Sequence, residues 1–310
     1  MSPLRDKPWI GPALAIVGVL GFSFKAILIK LAYAWAPIDA VTLLALRMLY
    51  ATPFFALMAL FATKRRGVAA IGRADWIRVL WLGFIGYYLA SLVDFMGLQY
   101  VSAALERLML YLYPSIVVVL SALFFGQRIT GRILLALGLS YAGILLVFAR
   151  DLSFAGDPRG LWVGGALVFA SSFFYALYLV GAGPVIARLG SARFIALAML
   201  ASAAFVFVQF LATRPPLALA APLRIQLLSL TMAIFSTVLP TYFIAEAIQR
   251  IGASRTSLVG SLGPVFTIWL GWVILDEPVH WIQLAGAALV LGGVALMSVR
   301  RAGEHLPHNA

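Results

Sequence analysis

The chain has 310 residues, of which 63% are apolar and 11% charged, with a mean hydropathy of +1.01. Ordinary soluble domains hold roughly 25% charged and 45–50% apolar residues, so a soluble enzyme, a DNA-binding module and a disordered tail are excluded, and the bilayer must solvate most of the chain. A formal net charge of +12 does not point to nucleic acid, because the basic residues sit in short connections, and the absence of cysteine removes disulfides and thiolate sites.

A helix needs about 20 apolar residues to cross the hydrocarbon core. Runs of that kind predict ten spans, at 10–33, 40–62, 76–97, 101–124, 132–149, 161–181, 192–212, 226–248, 252–275 and 281–299. They are too long and too unalternating for a barrel. The first is overlong for a cleavable signal peptide and carries Lys25 and Lys30 inside it. Fifteen Lys and Arg fall on the N-terminal side of this arrangement, whereas the opposite connections hold only Arg150, Arg159, Arg214 and Arg224. The positive-inside rule then places both termini in the cytoplasm.

Residues 98–114 can be laid on 248–264 at a constant offset of 150, pairing Gln99 with Gln249, Leu112 with Leu262 and Pro114 with Pro264. The offset divides the chain into two five-span halves, 1–150 and 151–310. Five is odd, so the second half enters the membrane upside down relative to the first. The expected fold is therefore an all-α membrane protein of ten transmembrane helices, built as two inverted repeats around a central cavity. Inverted repeats are a transporter architecture, with substrate bound near the midplane and alternating access between two related packings.

Three stretches carry a family likeness: LALRMLYATPFFAL (44–57), GLQYVSAALERLMLYLYPSIVVVLSALFFGQRIT (97–130) and IGASRTSLVGSLGPVFTIWLGWVILDEPVHWIQLAGAALVLGGVAL (251–296). Over nearly its whole length the chain resembles the ten-helix EamA-type transporters of the drug/metabolite transporter superfamily. That family typically has a Pro in the fourth helix of each half, matched by Pro114 and Pro264, followed by an acidic position. Asp276 and Glu277 match the acidic position in the second half, whereas the first half reads Gly126-Gln127. The first span also departs, with Gly21-Phe22-Ser23-Phe24 in place of a Trp-Gly pair. The resemblance implies export or exchange of small metabolites across a bacterial-type inner (plasma) membrane. Within the family the chain looks like a YddG-like exporter of aromatic and other neutral amino acids, with multidrug or other metabolite export as the alternative.

Ionisable side chains inside spans cost roughly 2.5–3.5 kcal/mol each on insertion scales, so each needs a reason. Lys25, Asp94, Glu106 and Arg107 are read as guards of the outer entrance, and Glu246 as the inner one. The competing structural reading pairs Asp94 with Arg107, caps a loop carbonyl with Arg47 and lets Lys30 snorkel to the headgroups. Tyr87, Ser91 and Asp94 are spaced to share a helix face, as are Arg107, Tyr111 and Pro114. With Tyr175, Tyr178 and Tyr242, these faces can either bind an amphipathic solute or simply pack. Pro114, Pro240 and Pro264 are candidate hinges, and the glycines of the ninth span are expected to admit close helix contact.

An embedded enzyme is disfavoured, because His280, His305 and His308 lie in a loop or the tail and no catalytic motif is present. No cofactor, metal or nucleic acid is expected. Without a P-loop, any coupling must come from a gradient or exchange; Asp94, Glu106 or Glu246 can carry a proton if desolvation raises a pKa, but no acidic residue lies clearly at mid-depth, which favours facilitated export or exchange. A monomer suffices, since the two halves can enclose a cavity alone.

Overall fold

The computed structural model describes residues 9–63, 70–126 and 129–298, and among these the chain is helical throughout. Ten helices run in order: α1 (Ile10–Trp35), α2 (Ala40–Thr63), α3 (Arg73–Gly97), α4 (Ala103–Phe125), α5 (Gly131–Ser153), α6 (Pro158–Leu189), α7 (Ser191–Thr213), α8 (Leu223–Ile248), α9 (252–275) and α10 (Trp281–Ser298). The first eight are long and apolar enough to cross a membrane, and the two shorter apolar segments Gly263–Leu275 and Trp281–Leu296 complete a ten-helix membrane protein.

Hydrophobic runs carry no start signal of their own, so polar residues in the connections fix where helices begin. Ser102 Oγ accepts from the Leu105 N–H at 3.1 Å to open α4, and Asp157 does the same for Gly160 at 3.0 Å, with Pro158 in the first turn of α6. Asp39 takes the Val41 N–H at 3.0 Å at the head of α2.

The irregularities inside the helices recur at the offset of 150. A π-helical turn occupies Phe84–Leu89 in α3 and Ile234–Val238 in α8. α4 is broken between Leu110 and Tyr113, and α9 between Gly260 and Gly263. The second half of α4 ends on Gly126 with φ 65°, and that of α9 on Asp276 with φ 53°. The left-handed turn is free for glycine and tolerable for aspartate. Pro114 and Pro264 thus do not kink continuous helices. Each lies in the first turn of a restarted helix, where its missing N–H costs nothing.

Packing follows the same exchange. α1 lies against α8 and α9, α6 against α3 and α4, α2 against α7, and α5 against α10. The α5–α10 crossing is close because a Cβ on Gly143 would stand 2.6 Å from the Gly286 carbonyl oxygen. The ninth-span glycines behave otherwise. Gly252 has φ 83° and turns the chain between α8 and α9, and a Cβ on Gly252 or Gly260 would meet nothing within 4 Å.

Alternate helix ends gather at two faces. One carries the connections at 36–39, 98–102, 154–157, 214–222 and 276–280, tied together by Asp39–Arg214 at 3.2 Å and a Ser102–Asp151 hydrogen bond at 3.4 Å. We call this the arginine-poor end and the opposite face the arginine-rich end.

Candidate functional site

Three side-chain assemblies stand out along α1, α3, α4 and α6. The first is ionic and lies towards the arginine-poor end. Lys25 Nζ donates to Asp94 Oδ2 at 2.7 Å and stands 3.7 Å from Glu106 Oε1. Asp94 and Glu106 are fully buried. Asp94 Oδ1 and both Glu106 oxygens have no hydrogen-bond donor among the described residues. Two guanidinium groups flank the cluster without reaching those oxygens. Arg47 donates to Ser91 Oγ at 3.2 Å and lies over the Phe95 ring, 4.9 Å from its centre. Arg107 reaches Ser23 Oγ at 3.4 Å and lies over Tyr111, at 5.5 Å.

The second assembly lies at that end. Lys30 Nζ donates to the Val101 carbonyl at 2.7 Å and stands 3.9 Å from Glu277, whose Oε1 accepts the Ala103 N–H at 3.1 Å. Tyr33 donates to the Phe95 carbonyl at 2.7 Å. One helix, α1, is thereby laced to the α3–α4 and α9–α10 connections.

The third assembly is aromatic. Tyr87 and Tyr178 join hydroxyl to hydroxyl at 2.9 Å, Tyr175 stacks on Tyr178 with centres 5.6 Å apart, and Tyr113 meets Tyr175 edge-on at 5.2 Å. Gly86 makes room for this, since a Cβ there would overlap the Tyr178 ring. Tyr178 belongs to the same buried cluster as Leu82, Ile85 and Val185. Those three residues also line a cleft of about 480 Å³ between α3, α4 and α6 at the arginine-rich end, together with Trp81, Phe124 and Val180.

Several expectations are corrected. Asp94 pairs with Lys25 rather than Arg107. Arg47 binds Ser91 and Phe95 rather than a loop carbonyl, and Lys30 binds a carbonyl and a carboxylate inside the protein rather than headgroups. Tyr87, Ser91 and Asp94 do not serve one face, for they meet α6, α2 and α1 respectively. The π turn at Phe84–Leu89 widens the helix and offsets Tyr87 from Ser91 and Asp94, which lie beyond it and lean to either side of their shared stretch of helix. Arg107 and Tyr111 do stay together, and Tyr111 donates to the Gly260 carbonyl at the break in α9. Tyr242 is 58% exposed and contacts Phe243, away from the other tyrosines. Glu246 is held by Arg250 at 2.8 Å within its own helix, and Pro240 packs on Gly21 of α1.

Sequence reasoning missed Tyr33, Tyr113 and Val180, and it named Glu277 only as the family's acidic position without its Lys30 partner. A signal for Val180 and Glu277 lay in the repeat. At the offset of 150, Lys30 corresponds to Val180 and Glu277 to Gln127. Gln127 lies outside the described residues.

A ten-helix bundle with buried charges at one end and a cleft at the other is a polytopic membrane protein of transporter type. The chain belongs to the EamA-like transporter family, which matches it twice, at residues 9–149 and 162–299. An uncharacterised transporter of Bacillus subtilis, YcbK, is 30% identical over 317 residues, covering 97% of this chain and 96% of its own. Uncharacterised transporters of Synechocystis (sll1319) and Archaeoglobus fulgidus are 22% and 24% identical, covering 99% and 100% of their own lengths and 100% and 95% of this chain. A solved crystal structure shares the fold with a TM-score of 0.62, at 19% identity over 93% of this chain and 96% of its own.

Proposed function

We propose that this transporter exports or exchanges neutral and aromatic amino acids by alternating access, with residues 1–150 and 151–310 acting as inverted halves. The observation that carries the reading is the inequality of the two ends. The arginine-poor end is laced shut through Lys30 and Glu277, while the arginine-rich end holds a cleft at Val180, the position that corresponds to Lys30. A protein in this state receives solute from the arginine-rich side, which the positive-inside rule makes cytoplasmic, with both termini there and the inner (plasma) membrane as the setting. A monomer suffices for this cycle.

The substrate class is read from the tyrosine cluster, whose Tyr178 packs with the cleft-lining Leu82, Ile85 and Val185. Tyr87, Tyr113, Tyr175 and Tyr178 offer ring faces and hydroxyls, which bind a flat or bulky solute without fixing its side chain. Deeper in, Lys25, Asp94, Glu106 and Arg107 provide both signs of charge, as a zwitterion requires. The apolar character of Trp81, Phe124 and Leu177 around the cleft favours a second reading, export of amphipathic drugs.

Counterflow in proteoliposomes tests both. Vesicles preloaded with phenylalanine should take up labelled phenylalanine above empty liposomes, and unlabelled methionine should compete. Absence of counterflow for every amino acid by demonstrably folded protein overturns the amino-acid reading, and drug-like cations are then the next solutes to load.

A further inference from the structure

Glu106 is a fully buried carboxylate in the fourth position of α4, and neither of its oxygens has a hydrogen-bond donor among the described residues. Its partner Asp94, whose Oδ2 is taken by Lys25, also leaves Oδ1 without a donor. Leaving buried ionised acceptors unpaired costs several kcal/mol, whereas supplying one donor removes most of that cost. The two carboxylates face each other across the single Lys25 ammonium. One hydrogen between them satisfies an orphan oxygen on each side. Asp94 and Glu106 are both fully buried, and a proton is the smallest ligand that can complete the pair.

We propose that Asp94 and Glu106 share one exchangeable proton, and that the protein couples solute export to uptake of that proton from the arginine-poor side. This rests on the export reading above and supplies its driving force, in place of the uncoupled facilitation that the depth of the acidic residues in the sequence favours. The site lies beneath the Lys30–Glu277 lacing, so opening that end exposes it to the outer solution. There the proton leaves water and attaches to a carboxylate oxygen. On the inward-facing side the same bond breaks and the proton passes to cytoplasmic water, with no other bond made or broken. The surrounding charges set the strength of the site. Lys25 and Lys30 face it from α1 and Arg107 from α4 itself, while Arg47 of α2 acts on Asp94. Lys30 is balanced by Glu277, and Asp151 beyond Ser102 is balanced by Arg150. Arg47 and Arg107 direct their donors to Ser91 and Ser23, so neither supplies the missing donor.

Two measurements test this. Infrared titration of the purified protein should show a protonated-carboxyl stretch that is absent from Glu106→Gln and shifts in Asp94→Asn. Its absence from the wild-type protein across the neutral range overturns the proposal whatever the substrate. In proteoliposomes, an inside-acid pH gradient should drive wild-type accumulation several-fold above equal-pH vesicles, and whatever uptake remains in Glu106→Gln should be the same with and without the gradient. Counterflow in the wild-type protein with no response to the gradient overturns coupling but leaves the exporter intact. Absence of counterflow strikes the exporter reading itself. If Glu106→Gln fails to fold, Asp94→Asn and the wild-type infrared titration carry the same decision.

Discussion

The two ends of the bundle are built from corresponding residues yet do different things. At the arginine-poor end, α1 presents Lys30 and Tyr33, and both reach across to neighbouring connections or helices. At the arginine-rich end, α6 presents Val180 and Gly183 at the same places, and Val180 faces a cleft. Polar lacing can be made and broken at little net cost, because a partly exposed ion pair contributes only about 1 kcal/mol. An apolar lip closes instead by contact with whatever fills it. On the proposed reading, the two halves rest with one end shut and the other receptive.

Filling the receptive end should have the largest effect. Val180→Trp places an indole in the cleft and is expected to reduce counterflow to the level of empty liposomes while the protein still elutes as a folded species. Undisturbed transport would show that the solute does not pass there. Making the shut end resemble the open one comes next. Lys30→Val removes the bond to Val101 and the pairing with Glu277, and a loss of about 1 kcal/mol shifts the balance of states about fivefold. The wild-type chain lacks cysteine, so a Ser102→Cys reporter can be labelled alone, and its labelling rate should rise by about that factor. Glu277→Gln should act in the same direction with a smaller change, since the neutral amide can still accept the Ala103 N–H.

A smaller effect is expected at the edge of the shut end. Asp39 caps α2 through Val41 and Thr42 and pairs with Arg214. Asp39→Ala should cost about 1 kcal/mol of stability, read as a lowered Tm in detergent. Burial pushes the Asp39 carboxyl up, but hydrogen bonds from Thr42 and Arg214 outweigh this and hold it below the usual carboxylate range. Its contribution is therefore fully present above the unfolded value near 4 and fades as pH falls through the lower folded value. The Tm difference between wild type and Asp39→Ala should shrink on acidification. A difference that grows would show that the carboxylate is not the stabilising form.

Most of the bundle was legible in the sequence because hydropathy over 20 residues is a one-dimensional quantity. The ten spans come from it, and the offset of 150 comes from residue matches such as Gln99 with Gln249 and Pro114 with Pro264. Side-chain partners were not legible, because they depend on the azimuth of each helix. The π turn at Phe84–Leu89 carries no proline or other mark, unlike its counterpart just before Pro240, and it changes the azimuth of Ser91 and Asp94 relative to Tyr87. Nearness along the chain and in depth made Arg107 the obvious partner for Asp94, yet Lys25 of α1 takes that place. The tyrosines were legible as a set, and only packing separates Tyr87, Tyr175 and Tyr178 from the outlying Tyr242. Lys30 and Glu277 are more than 240 residues apart in sequence; Lys30 stood out as a charge inside a span and Glu277 as the acidic position of the family pattern, but nothing in the sequence joined the two.

The inequality of the two ends is tested most directly by labelling single cysteines with a membrane-impermeant maleimide in the absence of solute, with Val180→Cys in one protein and Ala104→Cys in the other. Ser191→Cys, exposed at the start of α7, reports which membrane face carries the arginine-rich end. The account predicts that Val180→Cys reacts only from the face that labels Ser191→Cys, and that Ala104→Cys, buried behind the lacing, stays protected until Lys30→Val is added. Rapid labelling of Ala104→Cys from the opposite face in the otherwise wild-type protein, with Val180→Cys protected, would contradict it.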